Sequence, residues 1–332
     1  MPFFSVVMAT RNRPVLFRQA LESVLAQSCR DIEIIVINDG SAREHQPAYD
    51  AIIGAVVPIR VQSFALALRP QGHGGSFARN FGAAAANARY LCFLDDDDTW
   101  TDRNHLSRAQ AVITESETSV DIYMTNQAAF LNDKQQPGPI WIEDLPPILA
   151  KLGNRPDRHG AYTVVINELL RSQGFCHLNT LIVRRALYEE IGGLDEKNGW
   201  EHDRDLYLRL IDRATVIRYA PVTVARHNVP DPTKRANLTT AHSDFERFLS
   251  QLRLLDRAIY SSRHAAIRAY GRRHKAYTLK RIAEALAAAG RHAEATFYAR
   301  EALGAGPTVK WAAYTAWLTL KQALAGSSSS DS

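Results

Sequence analysis

Residues 90–100 read YLCFLDDDDTW, an apolar run that leads directly into four consecutive aspartates, Asp95 to Asp98. The continuous apolar run predicts a strand that is covered on both faces. Adjacent carboxylates repel one another, and burying even one of them costs free energy unless a cation pairs with it. The stretch therefore predicts a buried strand whose carboxyl end holds a cation.

Two strand–helix units precede this strand in the chain. Residues 3–9, FFSVVMA, and 31–39, DIEIIVIND, are short apolar or β-branched runs that predict buried strands. Pro14 suits the first turn of a helix, and GGSFARNFGAAAANA at 74–88 predicts a glycine-rich turn into an alanine-rich helix. The alternation predicts an α/β fold with a Rossmann-like, mostly parallel sheet flanked by helices.

Ligands bind such sheets outside the carboxyl ends of the strands. The first predicted strand ends at Thr10, the second at Asn38 and Asp39, and the third at the aspartates. We therefore expect these three polar loops to converge on one crevice.

The rest of the chain predicts further elements and a domain boundary. We expect a short helix near 144–152, a strand and helix within 179–196, a helix at 202–214 and a strand at 216–225. Residues 1–240 are expected to form one α/β domain that contains the crevice. Residues 241–325 would form a helical C-terminal extension, and 326–332, GSSSSDS, a disordered tail.

Composition favours a cytoplasmic protein. The 332 residues carry a net charge of +5, and Cys29, Cys92 and Cys176 are interpreted as buried thiols of a reducing compartment. We expect neither a signal peptide nor a membrane-spanning run. Residues 243–332 hold 14 Lys and Arg against 7 Asp and Glu, a net charge of +7. This basic tail indicates either a solvated helical face or contact with an anionic partner, such as the inner face of the cell membrane.

The aspartate cluster suits a hard divalent cation with oxygen ligands, Mg²⁺ or Mn²⁺, completed by water and by phosphates of a ligand. In an extended chain, Asp95 and Asp97 would share one face and Asp96 and Asp98 the other. The alternative is an acidic turn that caps the next helix.

Four motifs together resemble family 2 glycosyltransferases of the GT-A fold, and the resemblance covers about residues 4–230. They are SVVMATRNRP (5–14), IEIIVINDGS (32–41), GGSFARNFGAAAANARYLCFLDDDDTW (74–100) and HDRDLYLRL (202–210). The resemblance implies metal-dependent transfer of a sugar, usually with inversion, from a nucleotide diphosphate donor. The implied acceptor is a hydroxyl of a glycan or glycolipid in cell-surface polysaccharide synthesis.

The resemblance also implies residue roles on the donor side. Asp39 would accept a hydrogen bond from the base, uracil in most members, although Asn38 stands where many relatives have aspartate. The metal would be bound by Asp97, Asp98 and His227. The residues expected to contact the nucleotide are Thr10, Arg11, Asn12, Arg13, Asp39, Gly40, Arg79, Asp95 and Asp96.

On the acceptor side, the resemblance makes Asp203 the catalytic base. His202 replaces the usual glutamate, which leaves His202 open as a base or as an acceptor contact. The alternative is structural, with Asp203 as a helix cap and Asp205 paired with Arg209. The other acceptor residues would be His177, Asn179 and Trp200. Residues 225–239, ARHNVPDPTKRANLT, resemble the segment that closes over the donor in this family. Its cationic residues Arg226, Lys234 and Arg235 are candidates to cover the diphosphate.

Parts of the sequence also fit other functions. FLDDDDT also resembles the motif of haloacid-dehalogenase phosphatases, with Asp95 as nucleophile and Asp97 as acid and base. A sugar-nucleotide-binding module without catalysis would lack a base or a metal carboxylate. A nucleic-acid partner is not expected, because the tail lacks rings interleaved with its arginines.

Residues 309–324, VKWAAYTAWLTLKQAL, suit an interfacial helix on an anionic membrane, or a helix packed on the catalytic domain or on a homodimer partner.

Overall fold

The structure is a computed structural model that describes residues 1–230 and 243–327. The chain divides into two compact units, Met1–Asn237 and Leu238–Ser332. Lys234, Arg235 and residues 328–332 of the expected tail lie outside the described residues.

The first unit is built on one sheet, whose described strands follow the order β3-β2-β1-β4-β9-β6-β10-β5, with β7 beside β6 and β8 beside β10. The first four strands are parallel, β9 is antiparallel to both of its neighbours, and β6 and β10 are parallel. The strands are β1 (Phe4–Thr10), β2 (Ile32–Asn38), β3 (Arg60–Ala65), β4 (Tyr90–Phe93), β5 (Thr99–Trp100), β6 (Ile122–Leu131), β7 (Lys134–Gln135), β8 (Tyr162–Val164), β9 (Leu181–Arg184) and β10 (Ile217–Asn228).

Helices cover the sheet, and the hydrophobic core lies between them and the strands. The expected α/β class with a largely parallel sheet is confirmed, as are the helices expected near 144–152 and at 202–214. The helices of this unit are α1 (Pro14–Leu25), α2 (Gln46–Gly54), α3 (Gly75–Ala84), α4 (His105–Thr114), α5 (Leu145–Lys151), α6 (Ile166–Leu169), α7 (Arg185–Glu190) and α8 (His202–Arg213).

The register of the parallel strands brings their carboxyl ends to one edge. Val7 of β1 pairs with Phe93 of β4, and Thr10 pairs with Asn38 of β2. Beyond the ladder, the Asp39 N–H donates to the Thr10 carbonyl at 2.9 Å. The expected convergence of the three loops is therefore confirmed.

Strand β6 was not predicted from the sequence, although it lies inside the sheet between β9 and β10. Its sequence, IYMTNQAAFL, places Thr125, Asn126 and Gln127 in the middle of a buried strand. Asn126 accepts a hydrogen bond from the Tyr219 hydroxyl at 3.0 Å. Tertiary partners of this kind allow polar side chains inside a buried strand, and these side chains interrupt the apolar periodicity that identifies strands.

The second unit contains four described helices: α9 (Asp244–Ser261), α10 (Ala265–Ala288), α11 (His292–Ala305) and α12 (Val309–Ser327). Each helix packs against the next, around a core that includes Ile282, Ala299 and Leu318. The expected helical character of this region is confirmed, and α10 and α11 form a hairpin joined at Gly290, which has a φ of +75°. Among the described residues, no helix combines the length and the apolar character needed to cross a bilayer.

Candidate active site

The four aspartates form a turn rather than an extended segment. The Asp98 N–H donates to the Asp95 carbonyl at 3.2 Å, and this turn corrects the expected alternation of faces. Carboxylate oxygens of Asp95, Asp97 and Asp98 lie within 4.8 Å of one another. Asp96 instead accepts from the Thr10 hydroxyl at 2.7 Å and pairs with Arg13. The turn therefore brings together three carboxylates and directs the fourth to the β1 loop.

Two arginines balance part of this charge. Arg13 reaches Asp97 at 2.8 Å as well as Asp96, and Arg79 of α3 pairs with Asp95. Burial would raise the pKa of Asp95, but Arg79 and His177 outweigh it and lower that pKa to about 2. Asp95 is therefore held as a carboxylate by a fixed cation.

Asp98 is the most enclosed member of the cluster and is fully buried. It accepts from the Asn179 side-chain amide at 2.6 Å and from the Asn228 N–H at 2.7 Å, and His227 Nδ1 lies 2.6 Å away. Burial would lower the pKa of His227, but the Asp98 carboxylate outweighs it and raises that pKa to about 9. Asn228 was not among the predicted site residues, although it directly follows His227.

Negative charge outweighs positive charge around Asp97. Burial and the neighbouring Asp98 raise the pKa of Asp97 to about 7 despite Arg13. Three converging carboxylate oxygens suit a hard divalent cation, which would favour the ionised form of each. The donor set therefore fits Mg²⁺ or Mn²⁺.

Asp203 lies in the first turn of α8 between two imidazoles. His202 Nε2 is 2.9 Å from one carboxylate oxygen, and His177 Nε2 is 3.3 Å from the other. His177 Nδ1 accepts from the Asn179 N–H at 3.3 Å, so its proton is carried on Nε2, facing Asp203. Burial would raise the pKa of Asp203, but His202, His177 and Arg79 hold it well below the usual range.

The Asp203 group and the aspartate turn meet through two imidazoles. The rings of His177 and His227 are 4.8 Å apart, and the edge of Trp141 packs 5.3 Å from His227. The Asp203 carboxylate, which faces the Nε2–H of His177, thus lies one ring contact from the imidazole that pairs with Asp98. The structural pair expected in α8 is also present, because Arg209 donates to Asp205 at 2.8 Å.

The Asp39 carboxylate is engaged by the loop that precedes α3. It accepts from the His73 N–H at 2.8 Å and from the Gly74 N–H at 3.1 Å. The Gly72 Cα has no room for a side chain, because an added Cβ would lie 2.6 Å from Asp39 Oδ2. A Cβ added at Gly40, whose φ is +67°, would likewise lie 2.6 Å from the Ala67 carbonyl oxygen. The loops that follow β2 and β3 are therefore packed tightly around Asp39.

Arg11 and Asn12 stabilise the same loops. Arg11 donates to the Pro70 carbonyl at 2.7 Å, and the Asn12 side chain accepts from the Ala42 N–H at 2.8 Å. Arg226 packs over the Phe130 ring at 4.3 Å and pairs with Asp133, which places it at the β6–β7 turn. Trp200 is half-buried two residues before α8.

Comparisons with known proteins agree with this geometry. The profile of the family described as glycosyl transferase family 2 matches residues 5–191. A PGL/p-HBAD biosynthesis glycosyltransferase of Mycobacterium bovis is 25% identical over 228 residues, covering 68% of this chain and 77% of that protein. An uncharacterised glycosyltransferase of Nostoc is 31% identical over 157 residues, a match that covers 45% of this chain and 46% of that protein. The match therefore spans less than half the length of that relative.

The fold is shared with a solved structure of S. aureus TarS in complex with UDP-GlcNAc. The TM-score is 0.63 at 16% identity, and the match covers 84% of this chain and 72% of that one.

Proposed function

The chain belongs to glycosyl transferase family 2 and is a glycosyltransferase of the GT-A fold, and we propose that its donor is a nucleotide diphosphate sugar, a UDP-sugar. The bound UDP-GlcNAc of TarS supports this donor class. We propose inversion at the anomeric carbon and an acceptor hydroxyl on a glycan or glycolipid of the cell surface. The naming of the mycobacterial relative for PGL/p-HBAD biosynthesis supports that acceptor class. Membership of this glycosyltransferase family argues against both alternatives, the haloacid-dehalogenase phosphatase and the binding module without catalysis.

On the donor side, Asp97 and Asp98 would hold Mn²⁺ or Mg²⁺, with Asp95 and His227 adjacent. Such an ion, when bound, neutralises negative charge on the departing diphosphate. Arg79 lies on the same side and would add a positive charge that is already fixed by Asp95. Thr10 and Arg13 orient Asp96 and so shape the nucleotide side of the turn.

On the acceptor side, Asp203 would accept the proton of the attacking hydroxyl. Each of its oxygens has one imidazole partner and keeps a second lone pair for that hydroxyl. The observation that carries the proposal is the short link from this carboxylate through His177 and His227 to Asp98. A donor held at the turn would therefore present its anomeric carbon near Asp203.

Calorimetric titration with a panel of sugar nucleotides, with and without Mn²⁺, tests the donor side. We expect UDP-sugars to bind and Mn²⁺ to tighten binding at least tenfold, a shift of about 1.4 kcal/mol. The anomeric configuration of a transfer product, read by NMR, tests inversion. A donor that binds equally well with EDTA present would refute metal dependence.

A further inference from the structure

Aromatic rings and lysines of the second unit form a continuous row across α10 and α12. Lys280 Nζ lies 5.6 Å from the centroid of the Tyr277 ring and 5.3 Å from that of Trp311. On α12 the Trp311 and Tyr314 rings are 4.9 Å apart, and Tyr314 and Trp317 are 5.6 Å apart. Lys321 Nζ ends the row 5.2 Å from the Trp317 ring. We call these six residues the aromatic–lysine row.

The row is anchored at its centre and open at both ends. Trp311 is only 7% exposed, and its indole N–H donates to the Ala299 carbonyl at 2.9 Å. Tyr277 and Trp317 are 61% and 50% exposed. Because Trp311 is already fixed by packing and by this hydrogen bond, it loses little rotamer freedom when the row binds a partner.

The helices that carry the row also carry the positive charge of the unit. Helix α10 has six Lys and Arg against one acidic residue, Glu284, and α12 has two lysines and no acidic residue among its described positions. Helices α9 and α11 are neutral or slightly acidic, with three basic and three acidic residues and one basic and two acidic residues. The charge surplus therefore lies on the same two helices as the row, and Lys280 and Lys321 are the cations that contact its rings, which fits an anionic partner.

Exposed aliphatic side chains distinguish a bilayer from a nucleic acid as that partner. Val309 and Leu320 of α12 are 90% and 66% exposed. Stacked bases use rings and cations, whereas an interfacial helix also inserts aliphatic side chains below the headgroups. Trp, Tyr and Lys are the side chains that favour the membrane–water interface.

We propose that the aromatic–lysine row is a docking face for an anionic phospholipid bilayer, with the exposed Tyr277 and Trp317 rings at headgroup level and the lysines against lipid phosphates. This inference goes beyond the transfer reaction. Docking needs no donor, metal or acceptor, so its failure and that of the proposed function are separable.

Flotation of the full chain with vesicles tests the proposal. One set contains equal parts of phosphatidylglycerol and phosphatidylcholine, and the other contains phosphatidylcholine alone. We expect binding to the anionic vesicles only. Trp317→Ala should weaken it on the order of tenfold, and Lys280→Ala or Lys321→Ala roughly fivefold each. Alanine is a good helix former, so these surface changes leave the helices intact.

Phe297→Ala is the matched control, because Phe297 is a 59% exposed aromatic residue on α11 outside the row. It should bind vesicles like the unaltered chain. The proposal is overturned if the unaltered chain ignores anionic vesicles, or if the control loses as much binding as Trp317→Ala. It is also overturned if the chain binds a single-stranded oligonucleotide but neither set of vesicles.

Discussion

His202 Nε2 lies 2.9 Å from Asp203 Oδ1 while His177 Nε2 lies 3.3 Å from Oδ2, so two imidazoles from separate elements fix one carboxylate. His202 begins α8, and His177 precedes a short 3₁₀ turn at Leu178–Thr180. At position 202, where histidine replaces the glutamate that is usual in the family, the chain thus has a hydrogen-bond donor. The carboxylate gains a cationic or dipolar neighbour in place of a like charge, which favours its ionised form.

Asp203→Asn tests whether this carboxylate takes the acceptor proton. The amide keeps the size of the side chain but cannot act as a base, so kcat should fall by about 10² to 10⁴. Donor affinity, measured by calorimetry, should stay within about twofold because the change lies on the acceptor side. Asp244→Asn, at an 85% exposed carboxylate in the second unit, is the control and should leave both quantities unchanged. Transfer that persists in Asp203→Asn would place the base elsewhere.

Asp97→Asn should separate stability from metal binding. In the metal-free protein, Asp97 lies within 4.8 Å of two other carboxylates, so removing its charge should raise the free energy of unfolding by about 1 kcal/mol. The same change removes a ligand, so Mn²⁺ should no longer raise the melting temperature. Thermal denaturation in EDTA and in excess Mn²⁺ measures both effects.

Asp96→Asn is the matched control for Asp97→Asn, because Asp96 faces Thr10 and Arg13 instead of the cluster. It should keep its response to Mn²⁺, because Asp96 is not one of the three converging carboxylates. If both variants respond to Mn²⁺ alike, Asp97 is not a ligand.

Gly72→Ala tests whether the loop before α3 positions Asp39 for the nucleotide. A Cβ at this position would lie 2.6 Å from Asp39 Oδ2, and the φ of +72° adds strain. Gly153→Ala has a similar φ of +76° but meets nothing within 4 Å, so it shares the strain without the contact. We expect UDP affinity to fall roughly tenfold in Gly72→Ala only, with a similar loss of stability of about 1 kcal/mol in both. Equal UDP affinities would separate Asp39 from nucleotide binding.

The parallel half of the first unit could be predicted because its signals are local. Strands β1, β2 and β4 are continuous apolar runs, and each ends where a polar turn begins. The carboxyl-end rule then places Thr10, Asp39 and the aspartates together without further information. Strand β6 was not predicted because polar residues interrupt its apolar pattern, and the group that pairs with Asn126, the Tyr219 hydroxyl, lies 93 positions away in the chain.

The arrangement within the site could not be predicted for the same reason. The turn at Asp95–Asp98 depends on one backbone hydrogen bond and on partners from four other segments, including Arg79, Asn179 and Asn228. Sequence spacing treats the four aspartates alike, whereas the fold gives each of them different partners. Which aspartates share a face is therefore decided by tertiary contacts and not by the i, i+2 rule.

His105 makes the stability of the first unit depend on pH. The ring is fully buried against Trp100, 5.0 Å away, and neither ring nitrogen has a hydrogen-bond partner among the described residues. Burial lowers the pKa of His105 to about 3, whereas an unfolded chain has a value of about 6.5. The unfolded state therefore binds the extra proton as the pH falls below that value, so stability is lost on acidification.

His105→Phe keeps an aromatic ring against Trp100 but removes the titration. Between about pH 7 and about pH 5, the unaltered chain should lose about 2 kcal/mol of unfolding free energy that the variant retains. Denaturant unfolding at several pH values measures this difference. The extra bulk of the Phe ring can shift stability by a constant amount at every pH, so only the difference in slope is diagnostic. His45→Phe, on the surface turn before α2, should preserve the original slope. Parallel curves for His105→Phe and the unaltered chain would mean that water or a proton already reaches the buried ring.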